Sequence, residues 1–265
     1  MTAGMSDRVQ RSFSRSFDTY ASHANQQAWV AERLSMALRE CGAPHRFAST
    51  FEIGCGTGLL TQQLYNHFRH GELKINDLAP EAQQIADAYG ATFLQGDATQ
   101  IRWPDMPELI ASASMIQWLS NPATMLRRAA DALVPGGWLA VSGFGPRQYE
   151  ELVQIGTSGR APGLRTAEDM AAVLRGDLEI MTAGQCLRPM QFSSARDVLV
   201  HLRKTGVNGR AGKAWTRSQL ENFLDDYTRQ FANDAGVTLT YHPVWIIARK
   251  PDCKQPMSAG PGGAS

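Results

Sequence analysis

Between residues 45 and 146, short apolar runs take turns with amphipathic stretches, and this rhythm more than any other feature limits what the chain can become. The runs lie at 50–53, 73–75, 92–94, 108–113 and 138–142, separated by helical patterns at 58–69, 80–89 and 121–133. Strand and helix in that order predict a parallel sheet with helices packed on each side. Leu133-Val134-Pro135-Gly136-Gly137 ends the third helix, because Pro cannot continue it and Gly turns the chain into the next strand. With 265 residues, 43% of them hydrophobic, the chain can bury one elaborated domain or at most two small ones.

The flanks follow other patterns. Residues 7–40 read as one amphipathic helix, with Phe13, Phe17, Tyr20, Ala24 and Gln27 recurring every three or four positions. Gly42 and Pro44 stop it. Beyond Phe144-Gly145-Pro146 the rhythm breaks. Residues 147–175 read as helical with a glycine-rich interruption at 156–163, then a β-like run at 186–192, helices at 194–205 and 216–232, and one last strand over 237–249. Residues 1–44 are therefore expected to form an N-terminal helical lid and 45–146 the core. Residues 147–250 would supply inserted helices and the strands that complete the sheet, with 251–265 a disordered tail.

The sharpest local signal is Phe51-Glu52-Ile53-Gly54-Cys55-Gly56-Thr57-Gly58, a strand, a G-x-G-x-G turn and then a helix. Glycines there permit positive φ and let a ligand approach bare backbone, while the helix start offers unpaired N–H groups. The spacing differs from the G-x-G-x-x-G of dinucleotide folds, and the acid Glu52 two residues before the first glycine suits an ammonium better than a pyrophosphate. Asn76-Asp77-Leu78 closes the second strand and Gln95-Gly96-Asp97-Ala98 the third. An acid at the second strand's tip is placed to accept two ribose hydroxyls. Three carboxylates at successive strand ends suit a ligand with a ribose, an adenine amino group and a positive charge. The bland alternative is three solvated loop acids.

That order and spacing over residues 50–145 resembles the class I S-adenosylmethionine-dependent methyltransferases. The resemblance implies a Rossmann-like α/β fold, a seven-stranded, mostly parallel sheet with helices on both faces and a helical lid. It implies that Gly54, Gly56 and Gly58, preceded by Glu52, pass under the methionine part of S-adenosylmethionine. Asp77, with Leu78 beside it, would hold the ribose, Asp97 and Ala98 would face the adenine, and Ser112-Ala113-Ser114 would flank the sulfonium.

Further segments are similar to the malonyl-acyl-carrier-protein O-methyltransferases of biotin synthesis. They are Phe13 to Tyr20 with Ala24 and Gln27, Gln117-Trp118, Phe144-Gly145-Pro146 with Glu151-Leu152, the stretch from Asp197 to Asn208, and Leu239-Thr240-Tyr241. Departures from the family's pattern are Asn76 where an apolar residue is usual, Glu108 for aspartate, and Ser142-Gly143 for Ser/Thr-Thr. The implied reaction needs no general base, since a malonyl carboxylate is already ionised at neutral pH. The work left to the protein is to line up carboxylate oxygen, methyl carbon and sulfur. No Ser-His-Asp or metal constellation is expected; His201 and His242 are the histidines kept as exceptions. Tyr20, Arg15, Gln117, Trp118, Arg203 and Lys204 are candidates to orient the substrate, each with packing or a solvated helix end as the alternative.

Charge bears on the partner. Twenty-six basic residues against 25 acidic ones give a net charge of +1, which disfavours a dedicated nucleic-acid or membrane binder. The basic residues Arg196, Arg203, Lys204, Arg210, Lys213 and Arg217 nevertheless cluster around a single acid, Asp197. Such a patch would steer an acidic acyl carrier protein, with malonyl-CoA as the smaller alternative substrate. The start of the sequence shows no signal peptide, no run is long enough to span a membrane, and the four cysteines are scattered, so a reducing cytoplasm and a monomer are expected. The rival functions are another small-molecule methyltransferase of this fold, acting on a different carboxylate or a quinone-ring carbon, and a noncatalytic module that binds S-adenosylmethionine.

Overall fold

The computed structural model of the chain describes residues 25–156, 160–205 and 215–252. Helix α1 (Asn25–Glu40) leads into β1 (Arg46–Ile53), and the expected alternation follows. It comprises α2 (Leu59–His67), β2 (Arg69–Asp77), a 3-10 turn (Pro80–Ala82) running into α3 (Gln83–Tyr89), and β3 (Thr92–Gln95). Then come β4 (Leu109–Ser112), a second 3-10 turn (Ile116–Trp118), α4 (Pro122–Ala132) and β5 (Trp138–Phe144). The last part holds α5 (Glu150–Gln154), α6 (Ala167–Leu174), β6 (Glu179–Gln185), β7 (Arg188–Phe192), α7 (Ala195–Lys204) and α8 (Arg217–Phe231). Strands β8 (Ala232–Asn233), β9 (Gly236–Tyr241) and β10 (Pro243–Arg249) end it.

The main sheet has seven strands in the order β3-β2-β1-β4-β5-β10-β6. Strands β1 to β5 run parallel, and β10 is antiparallel to both its neighbours. The order switches direction between β1 and β4, so the chain leaves the carboxyl ends of these two strands toward opposite sides. Ligands of open α/β sheets bind in the crevice such a reversal creates. Both faces are covered. Phe51, Ile53, Ile110, Leu139 and Ile246 pack under α4 and α6. Phe47, Leu109, Ala140 and Ile247 pack under α1 and α2. A third core, with Val198, Leu202, Phe223, Tyr227, Leu239 and Tyr241, lies between α7, α8 and a small sheet of order β7-β9-β8.

Several elements depart from the expectations. The single strand expected over 237–249 is two strands in two sheets, with the break at His242. Pro243 brings no N–H, and the His242 N–H donates to Gln148 Oε1 at 2.8 Å, so the ladder cannot run through. Strand β6 was not expected, because Glu-Ile-Met-Thr-Ala-Gly-Gln lies on the sheet edge half-exposed and shows no strict alternation. Of the helical stretch at 147–175, only α5 and α6 are helix, the latter opened by a Thr166–Asp169 capping box. Among the described residues no helix is long and apolar enough to cross a membrane.

Candidate active site

The glycine-rich turn joins β1 to α2 at the switch point. Gly54, Gly56 and Gly58 have φ of 69°, 51° and 81°, all in the left-handed region. Steric demands differ among them. A Cβ on Gly54 would sit 2.5 Å from Met115 Cγ and one on Gly58 2.9 Å from Ile85 Cγ2, whereas one on Gly56 would meet nothing within 4 Å. The turn is thus packed tight at its two ends and open over its middle. It is also stitched to β2. The N–H groups of Gly54 and Cys55 donate to the Asn76 carbonyl at 2.9 and 3.0 Å, and Gly56 N–H donates to Asp77 Oδ2 at 2.8 Å.

The expected acids fall into distinct settings. Asp77 stands at the tip of β2, half-buried, its other oxygen accepting the Ala79 N–H at 2.9 Å, with Leu78 half-buried beside it. Burial pushes its carboxyl above the usual range, while those backbone donors pull it back down. Each oxygen keeps a lone pair for a further donor. Asp97 lies partly exposed beyond β3, with Oδ1 accepting from the N–H and hydroxyl of Thr99 at 2.8 and 2.7 Å. Glu52 lies not at the rim but beneath the turn, 1% exposed, and its Oε2 has no hydrogen-bond partner. Desolvation raises its pKa to about 8, Thr61 beside it on α2 lowers it, and Asp77 adds to the rise. Cys55 is buried, and burial with the nearby Glu52 and Asp77 pushes its thiol well above the ordinary range.

Other candidates lie at the ends of β4 and β5, where they hold backbone. The Ser112 hydroxyl donates to the Ile53 carbonyl at 2.8 Å and so ties β4 to the end of β1. Gln117 is buried over the ends of β4 and β5, where its amide nitrogen donates to the Ser114 carbonyl and its Oε1 has no partner. That bond helps to hold Ser114 at φ 54°, a strained value for a side-chain-bearing residue, and Ser114 N–H donates to the Ser142 carbonyl at 3.1 Å. Trp118 is half-buried next to Gln117. Gly143 belongs to this arrangement, because a Cβ there would lie 2.6 Å from Ile116 Cγ2 and 3.1 Å from Gln117 Oε1.

Arg203 and Lys204 end α7, which packs on α8 and β7 at the small sheet rather than among the tips of β1–β4. Arg15 and Tyr20 lie outside the described residues. The two histidines kept as exceptions are both engaged. His201 Nε2 shares a 2.6 Å hydrogen bond with Tyr241 Oη, and His242 Nδ1 accepts the Arg147 N–H at 3.1 Å. No group of three or more His, Cys, Asp or Glu among the described residues could hold a metal ion.

Sequence reasoning missed three supporting residues. Asn76, conspicuous only as a polar residue where an apolar one is usual, is buried and donates to the Leu94 and Gly96 carbonyls at 2.7 and 2.9 Å, pinning the loop that carries Asp97. Arg128 of α4 grips the same loop from the other side, donating to the Ala98 carbonyl at 2.8 Å and the Ile101 carbonyl at 2.7 Å. Met115 closes over Gly54. Glu108, the second departure, accepts the Ala48 N–H at 2.6 Å and anchors the start of β1.

Residues 51–141 match the model of a methyltransferase domain. A malonyl-[acyl-carrier protein] O-methyltransferase from Bacteroides thetaiotaomicron is 33% identical over 256 residues, covering 91% of this chain and 97% of the relative. This chain belongs to that family. A second member, from Prosthecochloris aestuarii, is 33% identical over 260 residues and covers 95% of each chain. The solved structure of a Bacillus halodurans protein assigned as a methyltransferase superposes with a TM-score of 0.59 at 16% identity, covering 82% of this chain and 98% of that one. At that identity the likeness is one of fold alone, the class I methyltransferase fold with its seven-stranded sheet.

Proposed function

We propose that this family member transfers a methyl group from S-adenosylmethionine to the free carboxylate of a malonyl thioester, carried by an acyl carrier protein or by CoA. The observation that carries the reading is the bare turn at the β1/β4 switch point. Its middle glycine opens onto free space and its N–H is held by the carboxylate of the next strand tip. The residues present fit the donor. Gly54–Gly58 backbone would run beneath its methionine part, Asp77 would accept the ribose hydroxyls, and Asp97 with Ala98 would border the adenine. Glu52, buried with an unpartnered oxygen, is a counter-charge for a cationic ligand above it.

When bound, the donor supplies an electrophilic methyl on a positively charged sulfur. The chain has little chemistry to add. An ionised carboxylate is already the nucleophile, so the residues must orient it in line and keep water out. Gln117, whose amide has one N–H committed to Ser114, keeps a second for a carboxylate oxygen that does not attack. Positive sulfur and negative carboxylate would neutralise each other in the transfer, a loss of charge that exclusion of water favours. Esterification masks the carboxylate. The acyl chain can then enter apolar elongation pockets that would reject a buried charge, which serves the assembly of the biotin precursor.

For the partner, α7 turns Arg196, Val200 and Arg203 to solvent at helical spacing, an apolar residue between two cations that no acid pairs with among the described residues. An acidic carrier helix fits such a stripe. The test is a mass-spectrometric assay of methyl transfer to malonyl, succinyl and glutaryl thioesters. Methylation of malonyl-carrier is expected, and its absence with all three would refute the reading. Reversing Arg203 and Lys204 to Glu is expected to slow the carrier substrate about tenfold while sparing malonyl-CoA, since rim charges act on association. Equal slowing of both would reject the docking face.

A further inference from the structure

The Asp97–Trp103 turn is held more firmly than its place in the fold requires. It follows β3, a four-residue strand on the sheet edge, which gives it support from one neighbour only. Yet the Asp97 carbonyl accepts the N–H groups of Gln100 and Ile101 at 2.8 and 3.0 Å. The Ala98 carbonyl accepts two donors at 2.8 Å each, Trp103 Nε1 and Arg128 Nη1. Arg128 Nη2 reaches the Ile101 carbonyl at 2.7 Å, and its guanidinium lies 4.3 Å over the Trp103 ring. Trp103 itself is 6% exposed.

No carboxylate pairs with Arg128 among the described residues, so the cation is not there to balance a charge. Both of its hydrogen bonds go to the backbone of one loop. Only a planar fork can meet two carbonyls of the turn while stacking flat on an indole; a lysine ammonium cannot do both. The outcome is a rigid Asp97–Ala98 step whose Oδ2 is not used by the Thr99 bonds that occupy Oδ1.

We propose that Arg128 is a positioning residue for nucleobase recognition. By clamping the Ala98 and Ile101 carbonyls against Trp103, it sets Asp97 and Ala98 at the distance that distinguishes an adenine from a base lacking the 6-amino donor. This rests on the reading of the site as a seat for S-adenosylmethionine, and it adds the group outside the site that makes the base edge selective. A site built to accept a particular donor rejects the analogue without it, but only while the acceptor is held in place.

The test is calorimetric titration of the full chain with S-adenosylhomocysteine and with its inosine analogue. The proteins are wild type, Arg128→Lys and Arg128→Met, each with its melting temperature measured. Wild type is expected to prefer the adenine compound by about tenfold or more, the size of one well-placed hydrogen bond. In Arg128→Met the preference collapses to within about twofold, because the acceptor is no longer held in place. Arg128→Lys keeps the charge and volume and is expected to lose most of the preference. It decides the matter if the methionine variant fails to fold. A folded variant that retains the wild-type preference overturns the inference and leaves the donor reading standing, as does a wild type that binds both compounds equally. A wild type that binds neither compound removes the donor reading, and the inference with it.

Discussion

Replacing Glu52 by Gln should make the protein more stable and a poorer binder of its methyl donor, and both effects should depend on pH. Glu52 is 1% exposed, and its carboxyl rises from an ordinary 4.5 to about 8. The causes are desolvation, opposed by Thr61 and reinforced by Asp77. At pH below 4.5 the group is protonated whether the chain is folded or not, and it adds no pH dependence. Between 4.5 and 8 the unfolded chain gives up the proton while the folded chain keeps it, so stability falls as pH rises. At about 1.4 kcal/mol per pH unit, the penalty grows to about 3 kcal/mol at pH 7. Gln cannot ionise and escapes it. Glu52→Gln should therefore melt roughly 6–12 °C higher than wild type at pH 7 and nearly level with it at pH 5, given about 2–4 °C per kcal/mol for a chain of this size. A cationic ligand above the turn favours the ionised form, so donor binding near pH 7 should release a proton from wild type and none from the variant. Titration in two buffers of different ionisation enthalpy measures that proton. Urea or thermal denaturation from pH 5 to 8 measures the stability. If the two proteins show parallel stability profiles across this window, Glu52 is not a buried protonated acid and the reasoning fails.

Three other outcomes follow from contacts away from the turn. Glu151 is buried, with one oxygen on the Thr240 N–H at 2.9 Å and the other on its hydroxyl at 2.5 Å; Glu151→Ala leaves both without an acceptor and should cost about 2–4 kcal/mol in urea denaturation. Lys250 donates to the Ala130, Asp131 and Leu133 carbonyls at 2.8, 3.1 and 2.8 Å, capping the end of α4, so Lys250→Met should cost about 1–2 kcal/mol, read as a lower urea midpoint with an unchanged slope. Cys55 should stay unmodified by a thiol reagent at pH 8 until the chain unfolds, whereas Cys41 and Cys186, both half-exposed, should react in the native state; peptide mapping separates the three.

The core was legible because each element carried its own local signal. Short apolar runs taking turns with helical stretches mark a parallel sheet, and Gly54, Gly56 and Gly58 mark a turn that no other residue builds without strain or collision. The acids at 77 and 97 could be read because a strand's end is visible in sequence. The region after β5 was harder, since periodicity reports which face is buried and not which sheet buries it. The stretch from Val237 to Arg249 alternates well enough for one strand, yet it serves two sheets, and the cause is a hydrogen bond from His242 to Gln148, a residue 94 positions away.

The same distinction explains which site residues escaped notice. The residues read from the sequence are those whose backbone or carboxylate stands at a strand tip, and their spacing is dictated by the strand–turn–helix geometry itself. Asn76 and Arg128 do something else. They hold main-chain carbonyls at sequence separations of 18 and 20 for Asn76, and 30 and 27 for Arg128. A carbonyl is the same in every residue, so a side chain that grips one leaves no pairwise signature in composition or spacing. Asn76 stood out only by violating the apolar pattern of its strand, and Arg128 sits on a helix where an arginine draws no attention. Polar residues that break a buried pattern near a strand tip are therefore better read as fixtures for the next loop than as defects of the strand. By that logic, Asn76→Leu should restore the apolar pattern while freeing Gly96 and Asp97. The protein would stay folded, but its affinity for the donor should fall about tenfold, roughly the loss of one buried hydrogen bond at the loop. Unchanged affinity on isothermal titration would make Asn76 ordinary packing and leave the loop to Arg128 and Trp103.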